Sequence, residues 1–491
     1  MLFNSIDFAF FLPIVFILYW FVTNRNLKAQ NLLLLIASYF FYGWWDWRCL
    51  LLLIIISTSN YFVGKWIDRN DLNNKKKIWF TAGLVINIGI LGIFKYYNFF
   101  VDSFVNLISL FGYNLSKASA NIVLPLGISF YTFLSLSYLI DIYKKNLDAD
   151  RNIIEVLLTL SFFPIILAGP IQRPSSLLPQ IAKKRVFIYD QAVDGLRQIL
   201  WGLFTKIVIA DKLALHVDDI FHNVSAYSGS TLLIGIIFYS LQIYADFSGY
   251  SNIAIGIGKI FGFNLMQNFA YPYFSRDITE FWKRWHISLT TWFRDYIFLP
   301  ISFNVSWIVK NDRVIFIKTE MFIYIVASII TWFLTGLWHG ANFTFIIWGM
   351  IHGFFLIIYQ WQKSPRKKLF KKFGITNKNP IVIIIETLIT LIIVMIAWVF
   401  FRSSTIHQAN LFIAGIFSSS LFSFPQCLPK KVILITILFI LAEWLQRNKQ
   451  YALQVENVKY RIVRWGIYYG IIVLIFLSLG DSQQSFIYSK F

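Results

Sequence analysis

The stretch Thr335-Gly336-Leu337-Trp338-His339-Gly340-Ala341-Asn342 stands between two apolar runs, 320–338 and 342–361. Each run has about the 17 to 25 residues that cross a bilayer's hydrocarbon as a helix. The stretch between them therefore reads as the bend of a membrane helical hairpin. Lys310, Arg313 and Lys318 precede the hairpin and six basic residues within 363–372 follow it. Both ends should then lie in the cytoplasm, because short cytoplasmic loops are enriched in Lys and Arg. His339 falls near the turn, either deep in the membrane or toward the outer face. An ionisable ring there is costly, so it is expected to face a cavity or a partner and to mark chemistry or transport. The small residues around it let helices approach closely and leave room beside the ring.

Working outward, the 491 residues are 57% hydrophobic with a mean hydropathy of +0.62, and only 14% are charged. A water-soluble chain could not hide this much apolar surface, so the composition excludes an ordinary soluble domain and identifies a polytopic membrane protein. Its 51 Phe, 25 Tyr and 18 Trp suit interfacial belts and a broad lipid-facing perimeter. The net charge of +20 does not indicate nucleic acid, because the basic residues sit in short loops rather than in one stripe. Cys49 and Cys427 lie in unrelated contexts without metal spacing, so neither a disulfide framework nor a metal site is expected. The first basic residue, Arg25, follows the first apolar run, which reads as a retained span rather than a cleavable leader.

Further runs of spanning length occur near 6–23, 29–45, 49–64, 78–94, 121–143, 153–171, 193–213, 231–258, 380–401, 431–446 and 464–480, while 98–112 is shorter and more polar. The fold expected is all-α, an integral membrane protein with about 11–13 membrane segments, since backbone groups in lipid must be satisfied internally. Arg25, Lys28, Lys65, Arg69, Lys75 to Lys77, Lys144, Lys145 and Arg151 mark further cytoplasmic loops and place the N-terminus outside. No internal repeat or low-complexity tract is evident. One membrane-embedded domain, 1–491, is expected.

A second histidine lies in Trp285-His286-Ile287-Ser288-Leu289. Pro272 forbids a helix through its own position, and Asp277 with Glu280 three residues on predicts a helix starting near Asp277. Trp282, Trp285, His286, Leu289 and Trp292 would share one broad face of it. Such a helix could lie along the cytoplasmic interface, or it could deliver His286 to a pocket; spacing alone leaves both open. His352 is 13 residues beyond His339, about 20 Å along a continuous helix, and reads as structural or interfacial rather than as a partner of that ring. Asp246 sits in an apolar stretch, where a carboxylate must protonate or find a cation; a structural ion pair and a substrate role remain open.

These motifs, taken with Leu124-Pro125-Leu126-Gly127-Ile128-Ser129-Phe130, Ala168-Gly169-Pro170-Ile171-Gln172-Arg173 and Tyr244-Ala245-Asp246-Phe247-Ser248-Gly249-Tyr250-Ser251, resemble the membrane-bound O-acyltransferases. The resemblance runs in order to the terminal Phe486-Ile487-Tyr488 and is strongest to bacterial alginate and peptidoglycan O-acetylation proteins. It implies a helical funnel with a catalytic core at about 121–362, in which His339 matches the catalytic histidine and His286 the second signature position. Relatives outside the bacterial polysaccharide branch often carry Asn or Asp at the latter. Gln172-Arg173-Pro174 and Asn252 depart from the family pattern, so no acidic pair with Asp246 is carried over.

The resemblance further implies acyl transfer, with acetyl as the expected group, from a cytoplasmic thioester such as acetyl-CoA to a hydroxyl outside. His339 would act as general base. Trp338, Trp285 and Asn342 would shape the site, Asn342 as a donor to the carbonyl oxygen, with Asp246 supporting. No bound cofactor is expected. A separate extracytoplasmic esterase-like partner would pass the acetyl group to a polysaccharide, which places this chain in a bacterial inner membrane. Transfer of D-alanine to teichoic acid is the alternative enzyme, and a proton-coupled transporter or flippase the alternative class.

Overall fold

The computed structural model describes every residue except 71, 114–121, 150, 151, 168, 375, 377, 457, 480–483, 485 and 488–491. Arg151, Ala168 and Tyr488, which the sequence reading used, lie outside the described residues, as does the first residue of the run 121–143. The regular structure of the described residues is helical apart from one two-stranded antiparallel hairpin, in which Arg313 pairs with Lys318 and Val314 with Ile317. The protein is therefore all-α.

Among the described residues, seven helices are long and apolar enough to cross a membrane: Trp47–Arg69, Asn73–Ser109, Gly229–Ile260, Thr319–His339, Phe343–Lys372, Pro380–Arg402 and Arg461–Ser478. Shorter apolar helices cover Ile6–Val22, Ile128–Tyr143 and Ile153–Ile166. The polar segment 98–112 joins the preceding run, because the helix continues through Tyr97–Ser109. On Pro380–Arg402 the exposed Ile384, Leu388 and Ile392 recur every four residues, an apolar stripe that water would not tolerate and lipid does. This is a multi-pass membrane protein. Side chains cap several helix starts: Asp46 accepts from Arg48 N, Asn152 from Ile154 N, and Asn379 from Ile381 N beside Pro380 at the first helical position. Each satisfies a backbone donor that the helix itself leaves open.

The described residues fall into two compact units. The first comprises Met1–Leu203 with Tyr250–Met266. In it the helix Trp47–Arg69 packs on Asn73–Leu91 and Ile128–Tyr143. The buried amides of Asn60 and Asn87 bond each other reciprocally at 3.1 and 2.9 Å, the interhelical polar pairing expected where no water competes. Gly127 has φ +74, and a Cβ there would strike the backbone oxygen of Ile166. The Leu-Pro-Leu-Gly motif thus ends in a residue that only glycine fits, directly before the helix Ile128–Tyr143.

The second unit comprises Phe204–Gly249 with Gln267–Ile487, and its hairpin matches the sequence reading except that the second helix runs on to Lys372 through the basic stretch expected as a loop. The helices Thr319–His339 and Phe343–Lys372 meet through glycine: a Cβ on Gly336 would collide with Phe345 O, and one on Gly349 with Trp332 O and the Cα of Gly336. Close backbone approach of this kind supplies the packing that lipid does not drive. Gly349→Val should therefore destabilise the detergent-solubilised protein by about 1–3 kcal/mol through overpacking. Gly466→Ala, whose new Cβ meets nothing within 4 Å, should melt like the parent. Equal melting of the Gly349→Val protein would contradict the close-packed hairpin.

Candidate active site

His339 ends the first hairpin helix, and the chain reverses through an extended Gly340. A Cβ on Gly340 would overlap the Phe345 ring, so the turn is tight against the second helix. Asn342 starts that helix: its Oδ1 accepts from Thr344 N at 3.0 Å, and its Nδ2 donates to Ser404 O at 2.9 Å. The Asn342 side chain thus holds the turn to the end of Pro380–Arg402. The His339 ring is 2% exposed. It lies edge-on to Trp338 at 4.7 Å, Trp348 at 4.7 Å and Phe401 at 5.1 Å between ring centroids.

His286 is placed by a break in what the spacing read as one amphipathic helix. Asp277 caps the expected start by accepting from Glu280 N at 2.8 Å, but the helix Ile278–Arg284 stops and a new one, Ile287–Phe293, begins. The cause is a competing segment. Ala270 N donates to Arg284 O, Ile287 N to Asn268 O and Ser288 N to Asn268 Oδ1, which takes the groups that would have continued the helix. His286 at the bend has φ 42 and ψ 53, a left-handed conformation unusual for a residue with a side chain. Such backbone strain persists where surrounding structure imposes it and is found preferentially at functional sites. The five residues of the expected face, Trp282, Trp285, His286, Leu289 and Trp292, are all buried, which does not fit a helix lying on the interface.

The orientation of the His286 ring follows from Asn268. Its Oδ1 lies 3.1 Å from His286 Nδ1 and also accepts from Ser288 Oγ at 2.7 Å. An amide oxygen can only accept, so Nδ1 carries the proton and Nε2 carries the lone pair. The ring is fully buried, edge-on to Phe247 at 4.6 Å, and meets Trp338 at 6.2 Å. Trp338 is therefore in ring contact with both imidazoles, and it is what brings the two sequence motifs together.

The remaining expected residues take supporting places. Trp285 packs among Phe269, Phe281 and Trp398 at 5.0 to 5.6 Å, one face of an aromatic mass behind the histidines. Asp246 has found its cation: Lys206 Nζ lies 2.6 Å from Asp246 Oδ1 and 2.7 Å from Asp211 Oδ1, with all three groups buried. Asp246 Oδ2 accepts from Ile487 N at 2.7 Å. His352 Nδ1 accepts from Trp282 Nε1 at 3.3 Å, and its ring lies 5.0 Å from Trp348. His339 and His352 thus flank the same indole. Asn268, Ser288, Trp348, Trp398 and Phe401 were given no role from sequence. Ser288 lies within the His286 motif and Trp348 four residues before His352; the other three carried no visible signal.

No family model matches the chain, but relatives do. The chain is 39% identical over 422 residues to the Pseudomonas syringae pv. tomato protein named "Probable alginate O-acetylase AlgI", covering 85% of this chain and 75% of that one. The chain belongs to the membrane-bound O-acyltransferase family. Helicobacter pylori "Peptidoglycan O-acetyltransferase" is 34% identical over 71% of this chain and 66% of its own length. Bacillus subtilis "Teichoic acid D-alanyltransferase" is 29% identical over 50% and 62% respectively. Membership in the O-acyltransferase family makes the chain an enzyme that transfers acyl groups to hydroxyls, and the transporter reading falls away.

Proposed function

We propose that the protein carries an acetyl group from a cytoplasmic thioester to the outer side of a bacterial inner membrane, for O-acetylation of a polysaccharide. The observation that carries this reading is the shared contact of His286 and His339 with Trp338, inside a family whose alginate and peptidoglycan members are named as O-acetylating. His339 takes the proton of the attacking hydroxyl as its oxygen bonds the thioester carbon. The tetrahedral oxyanion then collapses, the C–S bond breaks, and the thiolate receives the proton from the imidazolium. His286, with its Nδ1 proton fixed on Asn268, presents a lone pair at Nε2 that orients the hydroxyl. Trp338 sets the separation of the rings, while Asn342 acts by holding the hairpin turn.

Among the described residues the short loops offer no extended surface for a polymer, whereas a concave site within helices suits a thioester and one hydroxyl. We therefore assign the last step to an extracytoplasmic esterase-like partner. The test is reconstitution in liposomes with labelled acetyl-CoA, with and without that partner, followed by isolation of the polymer. Polymer label should require both proteins. Efficient polymer acetylation by this chain alone would overturn the relay. The resemblance to teichoic acid D-alanyltransferases supports D-alanyl transfer as a second reading, and label delivered from a D-alanyl carrier protein but not from acetyl-CoA would favour it.

A further inference from the structure

A concavity in the second unit, with a volume of about 770 Å³, has no histidine in its lining. Arg276, Lys363, Arg366, Lys367 and Lys371 line it, together with the carboxylates Asp277, Glu280 and Glu386. The carboxylates are already engaged. Glu386 takes Arg276 through Nε at 2.9 Å and a terminal nitrogen at 2.7 Å, and it also pairs with Arg366. Asp277 accepts from Tyr359 Oη and Glu280 N, each at 2.8 Å. Glu280 accepts from Arg276 N at 2.8 Å and from Arg284 at 2.6 Å. Lys363, Lys367 and Lys371 meet no carboxylate among the described residues. Spaced by four on the helix Phe343–Lys372, they form a ladder of ammonium groups rising about 6 Å per step.

We propose that this cleft binds the phosphate groups of a nucleotide-borne thioester donor, an inference that rests on the donor reading above. Three ammonium groups in line match a pyrophosphate and a further ribose phosphate better than a single charge. The cleft is open to one side and its lysines are exposed, but its concave volume lies in the range of small-molecule sites and suits a nucleotide better than a flat membrane surface. Tyr359 and Phe370 stand in its wall; Arg366 covers one face of Phe370 at 4.9 Å, and the Tyr359 ring is the aromatic face for a base. Asp277, in the cleft wall, caps the helix Ile278–Arg284, which ends at the bend carrying His286, so one short helix links the cleft to that residue.

The test measures coenzyme A binding to the purified full-length protein in neutral detergent by titration calorimetry. The triple variant Lys363→Ala, Lys367→Ala, Lys371→Ala should raise Kd about 30-fold, with a weaker dependence on salt. Lys368→Ala with Lys372→Ala, on the same helix but off the cleft, should change Kd by less than about 3-fold, the scale of exposed charges at a distance. Equal binding by the triple variant, while the parent still consumes acetyl-CoA, overturns the cleft and leaves the donor reading intact. A parent that neither binds coenzyme A nor consumes acetyl-CoA overturns both. Displacement of coenzyme A by stoichiometric phosphatidylglycerol assigns the ladder to lipid headgroups and overturns the nucleotide, as does loss in the triple variant of binding to an acidic carrier protein alone.

Discussion

His339→Gln should lower acetyl transfer by about 10²- to 10⁴-fold, the range contributed by a positioned general base, while the protein accumulates in the membrane at near-parental levels. Glutamine is chosen because it fills part of the volume that alanine would leave empty among Trp338, Trp348 and Phe401. It cannot take up a proton near neutral pH, so the loss should fall on turnover rather than on donor affinity. The measurement is initial rate against acetyl-CoA concentration, with abundance checked by immunoblot. A variant with parental turnover would remove His339 from the chemistry and leave it as a packing ring.

Lys206→Met should have the largest effect on stability. The ammonium is 1% exposed and sits between Asp211 and Asp246 at 2.7 and 2.6 Å, and it also donates to Gln484 O at 3.2 Å. Methionine keeps the stem and removes the charge, stranding two carboxylates away from water at a cost of about 3–5 kcal/mol. Thermal unfolding in detergent should show a large drop for the single variant and partial recovery when Asp246→Asn is added, because one stranded charge is then gone. The two substitutions touch one network, so their effects should not add. A melting temperature unchanged by Lys206→Met would contradict the structural reading of this cluster.

These two residues also show where sequence suffices and where it stops. The apolar runs locate the helices because lipid demands long uncharged segments whose backbone bonds are internal, and the hairpin around His339 was legible from two such runs with small residues between them. The cap at Asp277 was legible too, being a local chemical pattern. The bend at His286 was not. It is made by Asn268, 18 residues upstream, whose backbone and side chain take Ile287 N and Ser288 N, and helical periodicity carries no trace of such a competitor. For the same reason the surroundings of Asp246 required a cation, but nothing pointed to Lys206, 40 residues earlier. The meeting of both histidine motifs on Trp338 likewise arises from tertiary packing, although each motif was visible alone.

The most direct test follows labelled acetyl across a sealed bilayer. The protein is reconstituted with its extracytoplasmic partner in sealed vesicles, oriented by accessibility of Lys367 near the end of the helix Phe343–Lys372, with labelled acetyl-CoA confined to that residue's side and polymer on the other. The account predicts label in ester linkage on the far-side polymer for the parent and background label for His339→Gln at equal protein. Equal transfer by the His339→Gln protein, or label acquired only on the donor's side, would contradict it.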